Sequence, residues 1–252
     1  MDFEYMIKNE QVIIVRYTGI SKDVTIPNEI ENLPVITIAD CVFQDNELTS
    51  ISLPQNLTTI GYHAFYNSGL TSISLPQNLT TIEEGAFQKN LLTSIHLPQN
   101  LMTIEQYAFI GNKLTSIILP QNLTTIDIMA FYGNKLTSIS LPQNLTAIGR
   151  HAFRNNKLTS ISLPQNLTTI EEGAFADNNL TSIDLPNKFR TDEQIKNIFD
   201  FSLEELDNRN KEFIRPYLTK ILEDYTNHHF HDIIIDYMMI LSSELIREAM
   251  EA

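Results

Sequence analysis

The chain has 252 residues, a formal net charge of −14 at pH 7, a single cysteine and no tryptophan. The acidic excess runs throughout: residues 1–186 carry 9 basic and 17 acidic side chains, and residues 187–252 carry 8 and 14. Long-range electrostatics therefore disfavour nucleic acid and anionic lipid as partners. The lone Cys41 excludes an internal disulfide framework, and no apolar run approaches the roughly 18 residues that span a bilayer, so no membrane insertion is expected. The first residues, Met1-Asp2-Phe3-Glu4-Tyr5, lack the basic and apolar regions of a signal peptide. That points to a cytoplasmic chain or to one whose leader has been cut.

From the start, Phe3, Tyr5 and Ile7 alternate with polar positions, Asn9-Glu10 marks a turn, and Val12-Ile13-Ile14-Val15 continues. This pattern predicts a β-hairpin within residues 1–23, placed to cap the segment C-terminal to it. That segment is built from a 22-residue repeat. Its leucine recurs at Leu48, Leu70, Leu92, Leu114, Leu136, Leu158 and Leu180, and its proline six places later, from Pro54 to Pro186. A period of this length is the signature of a solenoid, here over residues 24–186, with residues 24–47 as a divergent first unit.

Each copy can be read physically. In Leu48-Thr49-Ser50-Ile51-Ser52-Leu53-Pro54 the apolar and polar residues alternate, which predicts a short strand ended by a proline that cannot donate to a ladder. Leu57 and Ile60 return inward, His63-Ala64-Phe65 fits a helical or 3₁₀ turn, and Asn67-Ser68-Gly69 closes the coil. Stacked coils turn each position into a column. The phenylalanine column (Phe43, Phe65, Phe87, Phe109, Phe131, Phe153, Phe175) is expected in the core.

Past Pro186 the period stops and helix signals begin. Thr191-x-x-Gln194 and Ser202-x-x-Glu205 resemble capping boxes. Pro216 is expected to open a fresh helix, and a last helix is expected from His231 to Ala249. Residues 187–252 thus read as a small helical bundle, marginal alone, that gains a core by covering the last coil. The apolar Ile233–Leu241 run also offers a seam for a dimer through the C-terminal helices.

The pattern Leu-Thr-Ser-Ile-x-Leu-Pro-x-x-Leu-Thr-x-Ile-x-x-x-Ala-Phe resembles the BspA-like (Treponema pallidum type) leucine-rich repeats. The entry unit Val24-Thr25-Ile26-Pro27 with Leu33-Pro34-Val35 is similar to that family as well. The likeness covers about residues 3–186, with a unit of 22 residues where the family's commonly has 23. It implies a parallel-sheet solenoid that binds proteins. Family members often act at the bacterial surface, in adhesion to host matrix proteins or in aggregation between cells. The fold class expected is an α/β leucine-rich-repeat solenoid with a hairpin cap and a helical C-terminal end.

Between the inward Ile and Leu of each predicted strand stands one outward residue: Ser52, Ser74, His96, Ile118, Ser140, Ser162 and Asp184. This column is the candidate partner-binding face, suited to a protein or a glycan, and its bland alternative is drift on a polar surface. The residues before each Ala-Phe vary more and read as solvent-exposed. Cys41 occupies that position, a structural thiol rather than a nucleophile. Asn56, Asn78, Asn122, Asn144, Asn166 and Asn179 begin formal glycosylation sequons, most of them consequences of the repeat. His228-His229-Phe230-His231-Asp232 lacks the spacing of a metal site and reads as an interhelix turn. Glu83-Glu84 and Glu171-Glu172 share one repeat position and read as solvated turns. With no nucleophile elbow or phosphate loop, neither catalysis nor a cofactor is expected. The sequence thus points to a non-enzymatic protein-interaction module of bacterial surface type. Its alternative is an intracellular interaction protein whose helical tail engages a second partner.

Overall fold

The computed structural model describes residues 2–223. The final predicted helix, the His228–Asp232 cluster and the Ile233–Leu241 seam lie outside the described residues. The strands are β1 Phe3–Lys8, β2 Gln11–Tyr17, β3 Asp23–Thr25, β4 Glu29–Ile30, β5 Leu33–Ile38, β6 Ser50–Ser52, β7 Thr59–Ile60, β8 Thr81–Ile82, β9 Thr103–Ile104, β10 Thr125–Ile126, β11 Ala147–Ile148, β12 Ser160–Ser162, β13 Thr169–Ile170 and β14 Ser182–Asp184. A 3₁₀ turn at Asn187–Phe189 leads to α1 Asp192–Phe199 and α2 Leu203–Glu223.

The chain winds as the solenoid that the 22-residue period requires. Its main ladders, however, run through the Thr-Ile pairs rather than the Ser-Ile-Ser runs. One sheet has the order β1-β2-β5-β7-β8 and the next β13-β11-β10-β9. The expected Ser-Ile-Ser strands form three-residue ladders only as β3–β6 and β12–β14, with a single His96–Ile118 bridge between. An aspartate ties the coils at both ladders: Asp23 accepts from the hydroxyls of Thr49 and Ser50, and Asp184 from Ser162. Between these two ladders no carboxylate stands in the column to accept from the hydroxyls of the neighbouring coil.

The segment expected to be a helical turn is a run of β-turns. Ala64 N–H donates back to Gly61 and Tyr66 N–H to His63, while the N–H groups of His63, Phe65 and Asn67 donate to Glu84, Ala86 and Gln88 of the next coil. This alternation puts two residues per coil at positive φ. One column is Cys41, His63, Gly85, Tyr107, Met129, His151 and Gly173. The other is Asp45, Asn67, Lys89, Gly111, Gly133, Asn155 and Asp177. A side chain at such a position costs on the order of 1 kcal/mol, a strain that the coil-to-coil bonds hold in place.

The seven phenylalanines of the core column are fully or almost fully buried and stack face to face, 5.1–5.5 Å between ring centroids. Behind them runs a ladder of buried amides at Asn90, Asn112, Asn134, Asn156 and the half-buried Asn178. Asn134, for example, donates to the carbonyls of Phe109 (2.9 Å) and Phe131 (3.1 Å) and accepts from Leu114 N–H (3.1 Å). One side chain thus satisfies three backbone groups across two coils, each of which would otherwise cost about 1–3 kcal/mol buried and unpaired.

Both ends are covered. At the N-terminus Asn9 and Glu10 have φ 52° and 59°, the turn geometry that matches strand twist, and β2 pairs in parallel with β5. Phe3 and Tyr17 extend the aromatic stack onto Phe43. At the C-terminus Thr191 and Gln194 form a complete capping box for α1, whereas Ser202 caps only Glu205 N–H and Glu205 turns to Arg209. Ile195, Ile198, Phe199 and Leu206 are buried against the last coil. α2 runs through Pro216 instead of restarting there. A proline in a helix forfeits one backbone bond, and here the helix continues through that loss.

Candidate interaction surface

All seven residues of the predicted face (Ser52, Ser74, His96, Ile118, Ser140, Ser162 and Asp184) are exposed. Their neighbours Ile95, Ile117, Ile161 and Ile183 are buried, and Ile51, Ile73 and Ile139 half-buried. The alternation read from the sequence is therefore physical even where the ladder is broken. Ser162 pairs with Asp184 in register and His96 with Ile118, so adjacent members stand side by side. At the N-terminal part of this column a shallow groove of about 410 Å³ lies between two coils, lined by Ser50, Ser52, Ser72, Ser74, Gln55 and Gln77. Ile118, 66% exposed, is the large apolar side chain among the seven. Chemically the face offers hydroxyl donors and acceptors, one imidazole, one carboxylate and one apolar contact. It suits a broad, weakly charged partner surface.

A second surface was read as plainly exposed, and that reading needs correction. Gly61, Gly85, Gly149, Gly173 and His151 within it are buried. The imidazole of His151 lies across Gly173, where an added Cβ would come within 2.3 Å of its Nδ1. His63 covers Gly85 in the same way, at 2.2 Å. Histidine with glycine one coil later is thus a packing pair. Beside it runs an acidic ridge in which Glu105 is pushed above the usual carboxylate range, first by burial and then by Asp127, Glu83 and Glu84. Cys41 is exposed, and partial desolvation with the neighbouring Asp40 raises its thiol, which keeps it a poor nucleophile.

A hollow of about 540 Å³ at the join between the last coil and α1 was not legible in the sequence. It is lined by His151, Glu172, Gly173, Glu193, Lys196 and Asp200 among others, and no repeat pattern reaches across that join. Among the described residues no three His, Cys, Asp or Glu side chains gather as metal ligands, and no helix is long and apolar enough to cross a membrane.

Known proteins share this geometry. The model of the BspA type leucine rich repeat region matches residues 17–135 and 124–224. Among solved structures, the leucine-rich repeat protein of Treponema pallidum is 28% identical with a TM-score of 0.57, over 73% of this chain and 83% of that one. A leucine rich cell surface protein of Faecalibacterium prausnitzii is 22% identical with a TM-score of 0.51, over 73% of this chain and 71% of that one. No curated protein matches the chain. Leucine-rich-repeat arrays of this kind are protein-interaction modules. The matched span exceeds half the sequence and includes every coil: the chain belongs to the BspA-type leucine-rich-repeat family.

Proposed function

We propose that the chain is a non-enzymatic binding module of bacterial surface type, and that the column from Ser52 to Asp184 is where a protein partner lies. The observation that carries this reading is the face itself. Seven outward side chains, one per coil, stand exposed in a line on a rigid stack, while their neighbours along each strand are turned inward. A solenoid fixes such a row at low entropic cost, because the coils are ordered before the partner arrives. The small hydroxyls leave the backbone close to the surface, and the near-absence of charge favours a protein over a phosphate-bearing ligand. The residues 1–23, 24–186 and 187–252 then act as cap, binding array and C-terminal cover.

The test is binding of the full chain to immobilised fibronectin, laminin and collagen, with Ser74→Arg and Ser140→Arg placed on the face and Glu171→Arg placed away from it. Binding lost at least about tenfold in the two face variants and kept in the third supports the reading. Binding that survives both face variants sinks it. Proteinase K treatment of intact producing cells tests display separately: the chain should vanish while a cytosolic control persists. If it survives until lysis, the surface assignment fails.

A further inference from the structure

The N-terminal hairpin covers the apolar end of the stack but leaves the sheet open. β1 is the last strand on its sheet, and among the described residues nothing pairs with its outer side. Six residues long, β1 contains no proline, and its chain partner β2 rather than β1 itself carries the bulge, at Val15. Its charges, Glu4 and Lys8, sit on the outward face with Met6, while Phe3 and Tyr5 pack against the core. Met6 and Ile7 are 52% and 45% exposed. Natural edge strands are usually blunted by proline, bulges, inward charges or edge charges, and β1 has only the last of these, Glu4 and Lys8, of opposite sign.

The hairpin also dictates which backbone groups are free. Lys8 and Gln11 flank a two-residue loop and so exchange backbone hydrogen bonds, as do Met6 and Ile13 two places on. Ile7 and Tyr5 alternate with them and direct their N–H and C=O away from β2, toward the open side.

From this edge we infer that β1 pairs antiparallel with β1 of a second copy about a two-fold axis at Met6. That register sets Tyr5 opposite Ile7 of the other copy twice, in two reciprocal pairs of backbone hydrogen bonds, using the outward groups. It also sets Glu4 opposite Lys8 twice. Glu4 already stands 4.0 Å from Arg16 on β2, so pairing builds a row of alternating charge, Arg16–Glu4–Lys8, on each side of the axis. Met6 meets Met6 at the centre, flanked by Ile13. Of the neighbouring registers that use the same backbone groups, the one with Met6 opposite Lys8 sets Glu4 against Glu10, and the one with Met6 opposite Glu4 pairs Lys8 only with Asp2, beyond the end of β1. The register centred on Met6 is the one that keeps both ion pairs inside the strand and in line with Arg16, and the contact is isologous and closed. The result is a sheet continuous through two protomers, with the solenoids running away from each other end to end. A partner with repeated sites would then be bound by two faces at once.

A contact confined to one strand edge is small, so the dimer is weak and concentration-dependent. The experiment is sedimentation equilibrium of the full chain up to its highest soluble concentration, on the wild type, Ile7→Pro, Glu4→Lys, Lys8→Glu and the Glu4→Lys/Lys8→Glu double variant. The expected result is a monomer–dimer equilibrium that Ile7→Pro abolishes with circular dichroism unchanged, because that N–H serves no bond within the hairpin. Each charge reversal should weaken association roughly tenfold by facing like charges twice, and the double variant should restore it. A wild-type chain that stays monomeric overturns the inference. So does a dimer indifferent to Ile7→Pro and to both reversals.

Discussion

The two ends of the solenoid meet the same physical demand in different ways. At the N-terminus a strand pair continues the sheet, so each backbone bond it satisfies is replaced by an equal one on its far side. At the C-terminus a helix and a few side chains imitate the missing coil. The last-turn carbonyls of Asn197 and Ile198, close to the end of α1, accept from Gly173 and Phe175 N–H at 2.7 and 3.1 Å. The amide of Asn210 bonds both the N–H and the C=O of Ile183, as a neighbouring strand would. Arg209 donates to Leu180 C=O, and Lys188 reaches Gln165 C=O, where earlier coils use an asparagine. Phe199 and Phe201 prolong the aromatic stack, and the Arg209 guanidinium closes it 4.4 Å above Phe201. A strand cap passes the unsatisfied edge outward, whereas a cap made of helix carbonyls and side chains ends it. One end stays adhesive and the other is sealed.

This contrast can be broken from the sealed end. Phe199→Ala uncovers Phe175 and leaves a cavity under α1, and should cost about 3–5 kcal/mol in urea unfolding. Tyr17→Ala at the open end, where the ring is half-buried, should cost about 2 kcal/mol. Equal losses would mean that the two caps are energetically alike. A smaller effect sharpens the chemistry of the seal: Asn210→Ala strips both partners from Ile183 and should cost about 1–2 kcal/mol, with faster amide exchange confined to β14. Exchange that speeds up along the whole array would place Asn210 outside the sealing role.

The smallest effect lies midway, where neither cap reaches. Glu105 is held above the ordinary carboxylate range in the folded chain. The native state therefore keeps that proton to higher pH than the unfolded state does. Stability should fall as pH rises through the interval between the ordinary carboxylate pKa and the raised one. Glu105→Gln should abolish this decline, raising the melting temperature at neutral pH and leaving it unchanged in acid. A variant that melts identically to the wild type at every pH would remove Glu105 from the pH dependence.

Much of this architecture was readable from residues because it rests on side-chain type. Apolar columns come from a 22-residue period, the hairpin from Asn9-Glu10 between alternating strands, and the first turn of α1 from Thr191 and Gln194. The candidate face was readable as far as alternation goes, since the residues flanking Ser140 or Asp184 along each strand are turned inward. What stayed hidden was backbone conformation and bonding between coils. The positive-φ column is occupied by Cys41, His63, Tyr107 and Met129 as well as by glycines, so composition does not betray it. Asn134 looks like an ordinary turn residue until the carbonyl of Phe109, 25 positions earlier, is brought beneath it. The hollow beside α1 joins the last coil to non-repeating sequence, where periodicity has nothing to say.

The asparagine ladder has an evolutionary corollary. From residue 70 onward each coil presents to the next the same amide, the same phenylalanine face and the same carbonyls that it received from the one before. Excision of one whole unit, such as residues 114–135, would bring Asn112 and Lys113 up to Leu136 and rebuild an interface that already exists. Length is therefore a free variable, adjustable in whole coils of roughly 5 Å without inventing a contact. A lineage could match the reach of its binding row to a new partner by copying or dropping units, while only the two caps must be kept.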